Sequence, residues 1–568
     1  MTNFFKVVKS NFALVMTAII VGLIVSIVAQ IFALTANTIF NEIQTNNFFI
    51  IFSFFPNVNF FPLIACVTAS VLICILIKIR KIDRWHGPAD TIFATHQQAG
   101  KLNVKRGFES TLAAFFSISG GASVGIYGPL VHFGATLGAF LRRRTFMPPI
   151  PHDIIIGAGV AAAISAGFNS PLAGIIFSHE VVLRHFSMRA LTAISLASVT
   201  ANFTALEMNL IQPPLRFQEI NFNMTDALPG LVLIGFISSF IAIFFIKNLV
   251  FFTKFSNQIN IPFHYKPIIP GIICGIFGIF VPAAIGLGSE TIVEVITSSN
   301  FIYFLILILF LKIMLTSICI GFGMFGGVFS PALFIGACTG ALIFNLPLFD
   351  TNTNLHQIFA VSSMAAVAGS IIGGPITAIV LVLELTGSYN YSIASILPVS
   401  LCSLSTYIMF RSSFFDYQLR TRNISIDNGR DFILMEDTNI EKYASKKFLK
   451  FNKNIIVKNA IKKFKKNNVT EGYFTDSNDK FLGKVKLISL IENKNDDQLA
   501  FHFKEKEFIK LSPDTNINNS MKILKNFVGE NIPIIDNRNN KIIGIISEND
   551  LLIAYDEITK SIREIEKN

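Results

Sequence analysis

The sequence predicts an α-helical, polytopic membrane domain assembled from two related halves of tilted and broken helices, with a soluble α/β module behind it. Three observations carry that expectation. Charge is unevenly spread: residues 1–422 hold 36 of the 83 Asp, Glu, Lys and Arg of the 568-residue chain, and the last 146 residues hold the other 47. Runs such as Phe12–Leu34, Leu231–Phe252 and Phe301–Leu315 are nearly free of charge, and about 20 apolar residues let a helix cross a bilayer. The apolar part also contains itself twice. Pro171–Glu180 (PLAGIIFSHE) recurs 204 residues on as Pro375–Glu384 (PITAIVLVLE), and Pro129, Gly134 and Gly138 recur 202 residues on as Pro331, Gly336 and Gly340. Duplicated segments interrupted by Gly and Pro point to a transport site where the two halves meet.

Taken in order, Met1–Leu34 has a long apolar stretch and no obvious small-residue cleavage site, so it reads as a retained first membrane helix. Phe108–Ser119, Gly157–Gly167 and Ser362–Ile372 are short and rich in Ala, Gly and Ser. Such residues let helices approach closely in lipid, and partial helices are tolerated at membrane depth only when protein or a polar cavity surrounds them. The formal charge is +11. The membrane part holds 22 Lys+Arg against 14 Asp+Glu and the tail 25 against 22. The excess therefore sits beside apolar runs, in Lys78–Arg84, Lys101–Arg106 and Arg142–Arg144. That is the pattern of cytoplasmic flanks, not of a nucleic-acid surface.

Enzymatic and metal chemistry find little support. The six cysteines (66, 74, 274, 319, 338 and 402) form no CxxC pair, so neither a disulfide framework nor a metal site is expected. His179-Glu180 begins an HE dipeptide, but position 183 is Leu, so the second His of a zinc protease helix is missing. His132 and His179 read as satisfied helix-interface residues.

Three Gly-rich turns run into probable helix starts: Gly87-Pro88-Ala89-Asp90, Gly125–Pro129 and Gly326–Pro331. Pro is favoured in a first helical turn and Gly frees the chain to enter it. A helix that starts inside the membrane presents unpaired N–H groups and the positive end of its dipole. Several such ends aimed at one spot hold an anion loosely enough to release it.

These motifs resemble those of the CLC family of chloride channels and chloride/proton exchangers, over roughly residues 12–421, with a C-terminal pair of CBS modules. Gly125-Ile-Tyr-Gly-Pro129 stands for the family's G-[KR]-E-G-P and Gly327-Val-Phe-Ser-Pro331 for its G-x-F-x-P. The segments around Glu180-Val181 and Leu383-Glu384 also match. The resemblance implies an inverted-topology repeat, a homodimer in a lipid bilayer, and one chloride or similar anion pathway in each subunit. It places His86, Gly87, Ile126, Tyr127, Gly128, Val328, Phe329 and Phe415 along that pathway, with Tyr127 as the gate.

The chain departs from the family where protons would be carried. The gating glutamate of the exchangers is replaced by Tyr127 and their internal proton-relay glutamate by Val181. A phenol titrates near pH 10 and Val not at all. Glu180 and Glu384 remain, in matching repeat positions that suggest a structural role. His86 stands where the family has an anion-contacting Ser, and Phe415 where it has a Tyr, so both hydroxyls are lost and His86 stands in as one donor. The expectation is passive anion permeation. The alternatives are a proton-coupled antiporter using substitute groups and a non-conducting, nucleotide-sensing membrane protein.

The organisation expected is a transport domain over 1–421 (halves about 12–210 and 226–410), a linker over 422–431 and a cytoplasmic CBS pair over 432–568. In the tail, Glu471–Asp476 with Phe481–Val485, and Glu530–Asp536 with Ile542–Ile546, read as hairpins flanked by helices. The resemblance to CBS pairs implies an adenine nucleotide at Ser547 and Asp550 of the second copy, the first having Lys486 and Ser489 there; a purely dimerising module is the other reading. A bacterial inner (plasma) membrane fits the Lys/Asn/Ile-rich tail.

Overall fold

The structure is a computed structural model that describes residues 2–45, 59–97, 102–144, 151–210, 222–298, 301–347, 349, 355–422, 424, 430–492, 496–525, 527 and 529–567. The chain divides into two compact units whose main boundary falls at Ile424/Ser425. Much of the expected linker over 422–431 lies outside the described residues.

Among its described residues, the regular elements of the membrane unit are helices. Its first half runs α1 (Thr2–Thr45), α2 (Phe61–Arg80), α3 (Pro88–His96), α4 (Val104–Ser119), α5 (Tyr127–Arg144), α6 (His152–Phe168), α7 (Pro171–Phe177) and α8 (Met188–Met208). The second half repeats the order as α9 (Met224–Gln258), α10 (Ile268–Phe280), α11 (Ser289–Thr297), α12 (Ile302–Gly321), α13 (Phe329–Phe344), α14 (His356–Ile372), α15 (Pro375–Thr386) and α16 (Tyr389–Phe410). A short α17 (Phe414–Arg420) closes the unit. Among the described residues, six helical stretches are long and apolar enough to cross a membrane. They include the runs read as spanning in α1, α9 and α12.

The short Ala/Gly/Ser segments form interior helices. Nearly every residue of α6 and α14 is buried, so protein surrounds them, as partial helices at membrane depth require. The matched glycines explain the close packing. A Cβ on Gly134 would lie 2.2 Å from the Gly159 carbonyl, and one on Gly340 2.1 Å from that of Phe359. Thus α5 meets α6, and α13 meets α14, backbone to backbone.

Two reciprocal contacts reveal how the halves are related. Gly125 and Gly327 exchange both N–H···O bonds, each 2.7 Å, as an antiparallel bridge. Glu180 follows α7, where the helix widens to π geometry over Ser178–Leu183. Its carboxylate accepts from the amides of Ile376 (2.9 Å) and Thr377 (2.8 Å), at the start of α15. Glu384, near the end of α15, accepts from the amides of Leu172 and Ala173 (2.8 Å each), at the start of α7. Each segment ends at the other's beginning, so the two run antiparallel, and the repeat is inverted.

The basic clusters share one face. Arg106 donates to the carbonyl oxygens of Arg80 (3.3 Å) and Lys81 (3.0 Å), Arg143 donates to that of Leu102 (3.1 Å), and Arg84 and Arg422 both pair with Asp90. Arg422 lies at the point where the chain leaves for the tail.

The tail unit contains α18 (Arg430–Asp437), β1 (Leu449–Asn452), α19 (Val457–Asn467), β2 (Glu471–Thr475), β3 (Phe481–Lys486), α20 (Leu487–Ile491), α21 (Ile517–Leu524), β4 (Asn531–Ile535), β5 (Ile542–Ser547) and α22 (Glu548–Lys567). Both expected hairpins are present, β2/β3 and β4/β5, each antiparallel with an irregularity near its turn. Strand β1 pairs with β2 in parallel, as the isolated Leu511 pairs with Ile534. The copies meet through a buried Lys484–Glu471 pair (2.6 Å), where Lys484 also donates to the Asn531 carbonyl and Glu471 accepts from the Asn531 amide.

Candidate functional site

The starts of α5 and α13 face each other across the Gly125/Gly327 bridge. In a first helical turn the N–H groups have no intrahelical acceptor. Among the described residues, the amides of Ile126, Tyr127, Val328 and Phe329 donate to no protein acceptor. Ile126, Val328 and Phe329 are buried, and buried N–H groups without an acceptor are rare. The Ser330 hydroxyl, one residue into α13, is also buried without a partner. A local cluster of buried donors calls for a negative or acceptor-rich occupant.

Two cavities flank this point. The inner one, about 30 Å³, is walled by Tyr127, Gly128, Phe168, Phe329, Phe415 and Pro88, among others. It is large enough for a water-sized occupant. The outer one, about 100 Å³, is bounded by Ile126, Tyr127, Phe168, Leu287, Ser289 and Ser330, among others. Neither lining includes a carboxylate. Tyr127 and Phe168 belong to both walls, with their rings stacked at 3.3 Å between centroids and 17° between planes. Phe329 closes on both rings edge-to-face, at 6.2 Å from Tyr127 and 5.4 Å from Phe168. These aromatic rings separate the two cavities.

The start of α3 is built differently. The Gly87 amide donates to the Asp90 carboxylate (3.0 Å) and the His86 amide to the Ser110 hydroxyl (2.9 Å). Asp90 is held by Arg84 and Arg422, and the His86 ring lies 3.9 Å from it. The helix start is thus occupied by its own carboxylate. Pro88 reaches the inner cavity, while His86 and Gly87 are not among its lining residues.

Residues 66–411 match the family model described as Voltage gated chloride channel. The chain belongs to the voltage gated chloride channel family. Residues 502–557, the second copy of the tail, match the CBS domain model. The Arabidopsis thaliana chloride channel protein CLC-e is 26% identical over 318 residues, 50% of this chain and 44% of that protein. The H(+)/Cl(-) exchange transporter ClcA of Klebsiella pneumoniae (strain 342) is 27% identical over 321 residues, 52% of this chain and 63% of that protein. The match thus spans under two thirds of either relative. A solved slow cyanobacterial Cl-/H+ antiporter shares the fold at TM-score 0.66 and 20% identity, covering 73% of this chain and 99% of its own.

Within this CLC framework the structure places the residues read from sequence as follows. Ile126, Tyr127, Gly128, Val328 and Phe329 gather at the facing helix starts, and Phe415, from the first turn of α17, joins Tyr127 and Phe329 on the inner wall. Val181 is buried, and a Cβ on Gly374 would lie 2.8 Å from its side chain. Residues missed from sequence are Phe168, whose one cue is its place before the Asn169–Pro171 turn, and Thr377. Thr377 lines the inner cavity, and its hydroxyl donates to Glu180 (2.7 Å). The two histidines depart from expectation. Nδ1 of His132 bonds Thr91 and that of His179 the His185 carbonyl, but both Nε2 atoms are buried without a partner.

In the tail, the Ser547 hydroxyl donates to Asp550 (2.7 Å), which also accepts from the Ser547 amide (2.9 Å). The pair forms the start of α22. A larger cavity, about 340 Å³, lies between the two copies, beside Thr470, Lys486 and Glu530.

Proposed function

We propose that this chain lets chloride or a similar small anion pass the membrane down its gradient, along one path in each subunit of a homodimer, without moving protons. The observation that carries this reading is the cluster of acceptor-less amides at residues 126, 127, 328 and 329, with no carboxylate on either cavity wall. Helix-start dipoles supply positive potential without a competing full charge. The carboxylates an exchanger would need are absent from positions 127 and 181, and Glu180 and Glu384 are committed to capping. The shared basic face, under the positive-inside rule, supports a cytoplasmic tail in a bacterial plasma membrane.

A second reading, proton-coupled exchange through substitute groups, draws on His132. Its ring lies 6.4 Å from that of His86, and its buried Nε2 has no partner. Efflux from liposomes carrying the full chain separates the readings. Chloride release that dissipates a gradient with no accompanying proton uptake is expected. Uphill proton movement driven by a chloride gradient would establish the exchanger instead.

For the tail we propose at most one adenine-nucleotide site, at Ser547 and Asp550, where an incoming ribose would compete with their mutual hydrogen bonds. Calorimetric titration of the full chain with ATP, ADP and AMP is expected to show binding of one equivalent per chain. Absence of heat with all three leaves the module as a structural one.

A further inference from the structure

Lys312 sits within α12 and is fully buried. Its ammonium donates to the carbonyl oxygens of Gly286 (2.7 Å) and Ala284 (3.4 Å) and stands 5.0 Å over the Phe334 ring. Among the described residues no carboxylate pairs with it; its titratable neighbours are the thiols of Cys274, Cys319 and Cys338. An intramembrane cation satisfied only by carbonyl dipoles is costly to keep, so its charge calls for a use.

The carbonyls it holds belong to the connection between α10 and α11. A Cβ on Gly288 would lie 3.4 Å from the ammonium, and the flanking Leu287 and Ser289 wall the outer cavity. That same cavity is bordered by Ile126, whose amide lacks an acceptor, and by Ser330, whose buried hydroxyl has no partner. No Lys or Arg lines it, and Ile126 occupies the place that is basic in the G-[KR]-E-G-P pattern.

We propose that Lys312 is the positioning residue of the outer cavity: through the turn it anchors, it supplies the positive field that captures an anion before the Tyr127–Phe168 barrier. The proposal rests on the anion-path reading above. A charge one residue layer behind a wall with low dielectric still acts strongly on an ion in front of it.

Three substitutions in the full chain separate charge from bracing. Lys312→Gln keeps an N–H donor for the Gly286 carbonyl but removes the charge, Lys312→Arg keeps both, and Lys312→Met removes both. In reconstituted liposomes titrated with chloride, the half-saturating concentration should rise about tenfold in the Gln and Met variants. It should stay within about twofold of wild type for Arg, with maximal flux and the detergent unfolding midpoint of Gln near wild type. A wild-type chloride dependence in Gln overturns the proposal, and impaired Met beside normal Gln assigns Lys312 to bracing alone. Wild-type protein that neither binds nor passes chloride overturns the anion-path reading and this role together.

Discussion

Tyr127→Ala should raise chloride efflux about tenfold or more, a barrier change of roughly 1.4 kcal/mol or above. The ring belongs to the walls of both cavities and stacks on Phe168 at 3.3 Å. An anion passing between them must displace it. An aromatic pair is worth about 0.5–1.5 kcal/mol beyond the area it buries, and turning the ring out of its packed site adds to that. Truncation to Ala removes the obstacle while leaving the amides at residues 126 and 127 in place. The companion substitution Tyr127→Glu should act in the opposite direction. A carboxylate there is stabilised by the same helix-start donors and competes with chloride, so flux falls at neutral pH. Protonation of that carboxylate removes the competing charge, so flux recovers as pH falls through its titration. Efflux recorded at several pH values checks both, with folding verified by the unfolding midpoint. Unchanged efflux in Tyr127→Ala would remove Tyr127 as the barrier.

The two-fold plan was legible because it is written locally. Pro171/Glu180 and Pro375/Glu384, and the glycines after Pro129 and Pro331, repeat at nearly constant offset, and α5–α7 and α13–α15 follow. The hairpins of the tail were legible for the same reason, since their strands and turns are contiguous. What escaped depends on chain crossings. The matching glutamates stood out as structural, but only the folded chain shows that each caps the start of the segment that carries the other. Phe168 becomes functional by meeting Tyr127 from the far end of α6. At the start of α3, the resemblance placed His86 and Gly87 on the anion pathway; Asp90, three residues after Gly87, takes up the Gly87 amide. Lys312 drew no reading within the apolar run Phe301–Leu315, because its carbonyl partners lie 26 and 28 residues away.

Removing either capping glutamate should destabilise the membrane unit severely and leave ion selectivity alone. In Glu384→Ala the amides of Leu172 and Ala173 lose their acceptor, and in Glu180→Ala so do the amides of Ile376 and Thr377 and the Thr377 hydroxyl. Leu172 and Ile376 are half exposed, but within the apolar interior of a bilayer no water would replace the lost partner. Hydrogen bonds to a charged group contribute about 1.5–3 kcal/mol each, so each truncation should cost on the order of 3 kcal/mol or more. The conservative Glu→Gln variants keep one acceptor oxygen and should lose roughly half of that. Because both caps fasten the same antiparallel pair, the double truncation should differ from the sum of the singles, the mark of coupled sites. Detergent-induced unfolding of the four variants measures this. A proton-carrying role predicts the reverse: Glu180→Gln and Glu384→Gln with wild-type unfolding midpoints but altered dependence of anion flux on pH. That result would move both carboxylates from the scaffold into the transport path, and the passive mechanism would fall with it.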